Sequence, residues 1–143
     1  MSVSIPVTGI PPKKRSDTSL WNCESEVPKV IALRREARTR FGDRKPFTSR
    51  IRLRLSVFLT ASEFSSTQVG DLDNFVSGVC DALQAADPKA SLDERFRLTE
   101  NEDVNPSKAI VIQNDRDVIS IVADKFLASQ GEPLHYTVVL DGD

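Results

Sequence analysis

Residues 70–83 read Gly-Asp-Leu-Asp-Asn-Phe-Val-Ser-Gly-Val-Cys-Asp-Ala-Leu. Their apolar positions recur at helical spacing, which predicts an amphipathic helix packed on a core. Asp71 and Asp73 stand where this helix begins. Side chains two residues apart point the same way only in an extended chain, so both acids contact one cation only if Asp71 is extended and Asp73 lies near the N-cap. Spacing alone leaves two interpretations open, half of a divalent-metal site or a helix N-cap formed by Asp73.

A second group of acids follows far downstream, in Asn114-Asp115-Arg116-Asp117, just before an apolar stretch. Asp115 is therefore a candidate third ligand for the same cation. The chain has one histidine and two separated cysteines, a composition that argues against zinc. We expect His135 to be a surface residue rather than a catalytic base, because no predicted partner accompanies it.

The bulk properties are those of a soluble domain. A chain of 143 residues is most simply one domain, here 1–143, with enough apolar content for a core. No apolar run approaches the roughly 20 residues of a membrane span, and the N-terminus lacks the order of a secretion signal. Cys80 falls on the predicted helix as a buried thiol. We expect a cytoplasmic protein with reduced cysteines, no membrane partner and no small-molecule cofactor.

The net charge of −2 conceals a division along the chain. Residues 1–60 have a net charge of +8, whereas residues 61–143 have a net charge of −10. This division suggests a phosphate-binding surface beside a metal-binding one, although like charges also segregate by chance. The basic residues that we single out as DNA-binding candidates are Lys13, Lys14, Arg15, Arg34, Arg38, Arg50, Arg52 and Arg54.

The stretch Arg50-Ile51-Arg52-Leu53-Arg54-Leu55-Ser56-Val57-Phe58-Leu59 alternates strictly and predicts a strand with one apolar face. Its other face would carry three arginines about 6.6 Å apart. Such a row suits successive phosphates of a nucleic-acid strand. The alternative is an edge strand whose cations prevent aggregation.

The remaining pattern predicts an α+β fold: a single domain with a small mixed sheet of about four strands and two main helices. Pro6 places the first strand at an edge or a strand end, and the apolar run at 118–123 predicts a central strand. A polar excursion covers about 86–108 and contains one short element that packs Phe96 on the body. The further predicted elements are strands at 2–10, 109–112 and 134–140, a helix at 26–41 and a polar connection at 60–70.

At these residues the chain resembles the RusA family of Holliday junction resolvases. The resemblance rests on Asp71-Leu72-Asp73-Asn74, on Asp81-Ala82-Leu83 further along the helix, on Asn114-Asp115 followed by Val118-Ile119, and on Lys125. The order of strands and helices is also similar, so the resemblance spans nearly the whole chain apart from the excursion.

The resemblance implies a Mg²⁺-dependent endonuclease, with Mn²⁺ as a substitute, that nicks four-way DNA junctions in recombination and repair and acts as a homodimer. It implies that Asp71, Asp73 and Asp115 are the catalytic metal ligands. Hard Mg²⁺ prefers oxygen ligands, which agrees with an all-carboxylate set. The possible accessory residues are Asn74, Ser77, Arg116 and Lys125.

One position departs from the family pattern. The family carries a catalytic lysine one helical turn after the second acid, where this chain has Ser77. A hydroxyl does not supply the positive charge that stabilises a developing anion. Three hypotheses follow: a junction endonuclease with another cation in this role, such as Lys125 or Arg116; a branched-DNA-binding protein with weak or lost cleavage; and a small α/β interaction module whose acids are caps and surface charge.

Overall fold

The computed structural model describes residues 1–65 and 72–143, which form a four-stranded mixed sheet with helices packed on one face. Gly70 and Asp71 lie outside the described residues, as does the end of the predicted connection at 60–70. The elements in chain order are β1 (Ser2–Thr8), α1 (Val27–Phe41), β2 (Ile51–Leu59), α2 (Ala61–Ser65), α3 (Leu72–Leu83), β3 (Val118–Leu127) and β4 (His135–Asp141).

The alternating strand β2 lies inside the sheet, whose strand order is β1-β4-β2-β3. It pairs antiparallel with β4 and parallel with β3. Its apolar residues are buried and Arg52 and Arg54 are exposed on the opposite face. The edge-strand interpretation of these arginines is therefore wrong. Arg50 precedes the strand in a left-handed conformation (φ 51°), so the predicted row of three contains two strand residues.

The edges of the sheet are β1 and β3. The edge position of β1 agrees with Pro6, which has no N–H to donate to a neighbouring strand. The prediction of a central strand at 118–123 is wrong, because β3 pairs with β2 alone among the described residues. Several of its apolar side chains remain accessible to solvent, with Ile119 57% and Ile121 52% exposed.

The two main helices, α1 and α3, lie where the sequence predicts them, whereas the short helix α2 lies in the predicted polar connection at 60–70. Pro28 occupies the first turn of α1, and Gly42 ends that helix with a positive φ of 68° and an N–H donated to the Arg38 carbonyl. On α3, Phe75, Val79 and Leu83 are buried in the shared core. Both cysteines are unpaired, and Cys80 is buried. No helix in the described ranges has the length and apolarity needed to cross a membrane.

The predicted strand at 109–112 is buried but is not a strand of the sheet. Ile112 forms an isolated parallel bridge with Phe47, and the N–H groups of Ile110, Val111 and Ile112 all point to the carbonyl of Leu83 at 3.1–3.4 Å. The segment therefore satisfies the carboxyl end of α3, where carbonyl groups lack helical partners.

The excursion after α3 packs tightly on the body through two 3₁₀ helices, Glu94–Arg97 and Thr99–Val104. Phe96 is buried against Trp21, with ring centroids 5.7 Å apart, as expected for the short element. Asn101 is also buried and its amide donates to the Arg95 carbonyl at 2.7 Å.

Arg34 of α1 joins this excursion to α3. Its side chain is fully buried and donates to five backbone carbonyls, those of Ala82, Gln84, Val104, Asn105 and Lys108, at 2.6–2.9 Å. Burial lowers its pKa to about 10, so the guanidinium stays charged at neutral pH. The prediction that Arg34 contacts DNA is wrong, because all of these donors face the interior.

Replacing Arg34 with lysine should destabilise the fold, since one ammonium cannot reach carbonyls spread over a planar guanidinium. We expect a loss of at least about 3 kcal/mol in the free energy of unfolding, measured by urea denaturation. Arg40→Lys is the matched control, because Arg40 is exposed on the same helix. Equal stability of the two variants would contradict the assigned role.

Candidate metal and phosphate site

One face of α3 carries Asp73, Ser77 and Asp81, spaced four residues apart and therefore on successive turns. Asp73 is exposed in the first turn, whereas Ser77 and Asp81 are half-buried. The core contacts of Phe75, Val79 and Leu83 on the other face hold the helix in place. The helix thus presents a polar stripe of two acids separated by a hydroxyl.

Asp115 reaches this stripe through the segment bound to the end of α3. The Asp115 N–H donates to the side-chain oxygen of Gln84 at 3.1 Å, and the Gln84 amide donates to the Cys80 carbonyl at 2.9 Å. The Asn114 side chain accepts from the Arg116 N–H at 3.0 Å and so caps a 3₁₀ turn, Asp115–Asp117. Asn114 therefore acts as a cap that orients the neighbouring acid.

Asp81 and Asp115 interact electrostatically. Burial raises the pKa of Asp81, the positive charge of Lys14 lowers it, and the negative charge of Asp115 raises it further, with a net upward shift. The same two carboxylates add to burial in raising the pKa of the Cys80 thiol to about 12. Two acids held close enough to repel one another are the arrangement that a bound cation relieves.

The basic loop after β1 lies across this face of α3. The Lys14 N–H donates to the Asn74 carbonyl at 3.1 Å. Gly78 allows the approach, because a Cβ at that position would lie 2.1 Å from the Pro12 carbonyl oxygen. Lys14 is exposed, and its positive charge is close enough to Asp81 to lower the pKa of that carboxyl. The loop therefore brings a cation to the acids.

Buried Glu26 fixes the conformation of this loop. Its carboxylate accepts from the Lys13 N–H at 2.7 Å and from the Arg15 guanidinium at 3.0 Å. Burial alone would raise the pKa of Glu26, but these hydrogen bonds and the charge of Lys29 together lower it. Arg15, predicted to bind DNA, thus forms an ion pair with a residue of its own chain, and 39% of its side chain remains exposed.

The described residues bring Asp115 to Gln84 at the end of α3, whereas Asp73 lies in the first turn of that helix. Asp71 lies outside them, and within residues 1–65 and 72–143 no three acidic, histidine or cysteine side chains form a group that could hold a metal. Carboxylate oxygens are suitable Mg²⁺ ligands, so each of Asp73 and Asp115 has the chemistry of a single ligand to that ion. Asp81 is not among the predicted site residues, although its four-residue spacing from Ser77 places it on the same helix face.

The two cations proposed to replace the family lysine differ in position. The Lys125 ammonium lies 5.4 Å from the centre of the Phe64 ring. Because Lys125 is seven residues along β3 from Val118, it stands roughly 23 Å from the strand end beside Asp115. Arg116 is exposed immediately after Asp115. Lys125 therefore lies far from Asp115.

The sheet face opposite the helices is a second polar surface, which carries Arg52 and Arg54. Arg52 stands beside Asp141 of β4 in the register of the sheet. Two of the other candidates bind elsewhere: Arg38 donates to the Asp43 carboxylate at 3.3 Å, and Arg50 lies 3.8 Å from that of Asp143. The basic candidates of the first half thus form no single surface: Arg52 and Arg54 lie on this open face and Lys14 lies in the loop on α3, whereas Arg34, Arg38 and Arg50 lie elsewhere.

Three aromatic rings lie on the same open face. Phe58 stacks on His135 with centroids 4.5 Å apart and on Phe126 with centroids 5.1 Å apart. His135 is consequently half-buried, and its Nδ1 lies 3.0 Å from the Pro133 carbonyl oxygen. This stack leaves no signal in the sequence, because it depends on the register of three strands.

Comparisons of the chain with protein-family models, with curated proteins and with solved structures found no match.

Replacing Asp81 with asparagine should stabilise the protein at neutral pH. The pKa of Asp81 in the folded protein is raised above its ordinary value of 3.8. The protonated carboxyl therefore contributes fully to the stability of the fold below pH 3.8, and this contribution is lost as pH rises through the folded-state pKa. The melting temperature of Asp81→Asn should therefore exceed that of the natural protein more at pH 7 than at pH 3. A gap that does not widen with pH would contradict the raised pKa.

Proposed function

We propose that this protein is a Mg²⁺-dependent endonuclease that cuts branched DNA, specifically four-way junctions, in recombination and repair. The supporting observation is the convergence of Asp81, Asp115 and Lys14 on one face of α3 from three separate parts of the chain. Acids that repel one another beside an exposed cation suit a metal ion and a phosphate together. We place this activity in the cytoplasm.

In this proposal Asp71, Asp73 and Asp115 hold the ion, and Asp81 adds negative charge two turns beyond Asp73 on α3. Mg²⁺ would polarise the phosphodiester and lower the pKa of a bound water. The protein's own contribution is positional: the buried face of α3 orients Asp73, and Gln84 and Asn114 orient Asp115. No histidine or serine nucleophile is required by this chemistry.

Arg52 and Arg54 would bind DNA phosphates away from the cleavage site. They are exposed on the open face of the sheet, whereas the acids of α3 lie on the side of the sheet that the helices cover. A four-way junction presents several arms, so contacts on separated surfaces suit it better than they suit a single duplex. Binding through such contacts weakens as salt concentration rises, because neutralised phosphates release counterions.

The homodimer in this proposal would form through β3. Its outer edge is unpaired among the described residues, and its exposed apolar side chains include Ile119, Ile121 and Leu127. Antiparallel pairing of two copies about Ile121 would set Asp117 opposite the partner's Lys125, which gives opposite charges at both ends of the pairing. Two acid sites would then be related by a two-fold axis, one for each strand that is cut.

A second candidate is a junction-binding protein without efficient cleavage. It is favoured by Ser77, which occupies the middle of the acid stripe and brings no charge. Ser77→Lys distinguishes the candidates: a large gain in cutting would show that the site otherwise works but is deficient in the natural chain.

Asp73→Asn should abolish Mg²⁺- or Mn²⁺-dependent nicking of a synthetic four-way junction, because an amide is a far poorer ligand for a hard cation. Nicking is measured on denaturing gels with the enzyme in excess. Asp103→Asn, a matched change at an exposed acid on the excursion, should cut normally. Intact junctions with the natural protein and either metal would refute the nuclease proposal.

Ile121→Lys should convert the dimer to monomer, since two lysines would meet at the two-fold axis. Sedimentation velocity at micromolar concentration measures the change. Ser4→Lys is the control, because Ser4 is exposed on the other edge strand, β1. A natural protein that is monomeric, or an unchanged dimer in Ile121→Lys, would rule out pairing through β3.

A further inference from the structure

The loop after β1 runs along the helix turn that contains Ser77. Lys14 is hydrogen bonded to Asn74, three residues before Ser77, and Pro12 contacts Gly78, the residue after it. The contact at Gly78 is between backbones, since a Cβ would lie within 2.5 Å of both the oxygen and the carbon of the Pro12 carbonyl group. The loop therefore has little freedom to move along the helix.

The backbone on both sides of Lys14 is held by Glu26, which has no exposed surface. The Lys13 N–H and the Arg15 guanidinium bind opposite oxygens of that carboxylate, at 2.7 and 3.0 Å. The Lys14 side chain, in contrast, is exposed. A charge on a fixed backbone needs little reorganisation when a reaction develops charge beside it.

The position of Lys14 relative to the acids is also consistent with this role. Its N–H donates to the carbonyl of Asn74, the residue after Asp73, at 3.1 Å, so Lys14 lies beside the acid stripe. Lys125, the other lysine considered, stands at the far end of β3 and faces Phe64. Arg116 adjoins Asp115 and is the competing candidate.

We propose that Lys14 supplies the positive charge that Ser77 lacks and binds the phosphate that is cut. The inference rests on the proposed nuclease function. In the hydrolysis, a water oxygen bonds to phosphorus, the phosphorus–oxygen bond to one sugar breaks, and the proton from water ends on the departing sugar oxygen. Negative charge grows on the phosphate oxygens meanwhile, and the Lys14 ammonium stabilises it.

The test compares Lys14→Gln with Lys89→Gln, a matched change at an exposed lysine on the excursion, and with Arg116→Gln. Single-turnover cleavage of a labelled four-way junction in Mg²⁺ should fall on the order of 10²–10³-fold in Lys14→Gln and stay unchanged in Lys89→Gln. The double variant Lys14→Gln with Ser77→Lys should recover cleavage, because it returns a cation to the same turn. Thermal melting of each variant checks that it is folded.

A second readout needs no DNA and no cleavage. Calorimetric titration with Mn²⁺ should show tighter binding to Lys14→Gln than to Lys89→Gln, because removal of the ammonium leaves the acids free of a competing cation. Equal Mn²⁺ affinity of these variants would show that Lys14 does not act on the acid site.

The outcomes separate the two proposals. If the natural protein cuts junctions and Lys14→Gln cuts equally well, or if Arg116→Gln alone loses cleavage, the assignment of Lys14 is overturned and the nuclease stands. If the natural protein does not cut, the nuclease proposal and a catalytic role for Lys14 both fail. The Mn²⁺ titration then decides whether Lys14 belongs to a cation site at all.

Discussion

The buried guanidinium of Arg34 is the interaction on which the acid site depends. It reaches the carbonyls of Ala82 and Gln84 at the end of α3 and three more in the excursion. Carbonyls in the last turn of a helix lack partners and carry partial negative charge, so a cation there is stabilised without a carboxylate. Gln84, placed by this contact, in turn binds the Asp115 N–H. A structural arginine in α1 thus determines where a downstream acid lies.

Electrostatic strain in the site has an identifiable origin. Asp81 is half-buried and close to the negative charge of Asp115, and both its burial and this charge raise its pKa. The fold tolerates this cost because packing of α3 and backbone hydrogen bonds from residues 110–112 hold both segments in place. A group maintained at an unfavourable charge in a folded protein is typical of a functional site, although structural networks also shift pKa values.

The basic half of the chain is not one continuous surface. Arg34 and Arg15 bind groups of the protein itself, with Arg34 fully buried. Lys14 lies beside the acids, whereas Arg52 and Arg54 lie on the open face of the sheet. Glu26 lies at the N-cap of α1, and its carboxylate also fixes the loop that carries Lys14. The net charge of a stretch of sequence therefore overstates the number of charged side chains that a ligand can reach.

The sequence by itself determined the α+β class, the alternating faces of β2, the ends of α1 and the acid-bearing helix, because these follow from local periodicity and from Pro and Gly at element ends. It did not determine that β3 is an edge strand, since an apolar run is the same whether a partner strand or solvent lies beside it. Nor did it separate buried Arg34 from exposed Arg52, since identical side chains differ only in what surrounds them. The meeting of Lys14, Asp81 and Asp115 was decided by the tertiary structure alone, because their separation along the chain is bridged by packing at Gly78 and by the hydrogen bonds of Gln84.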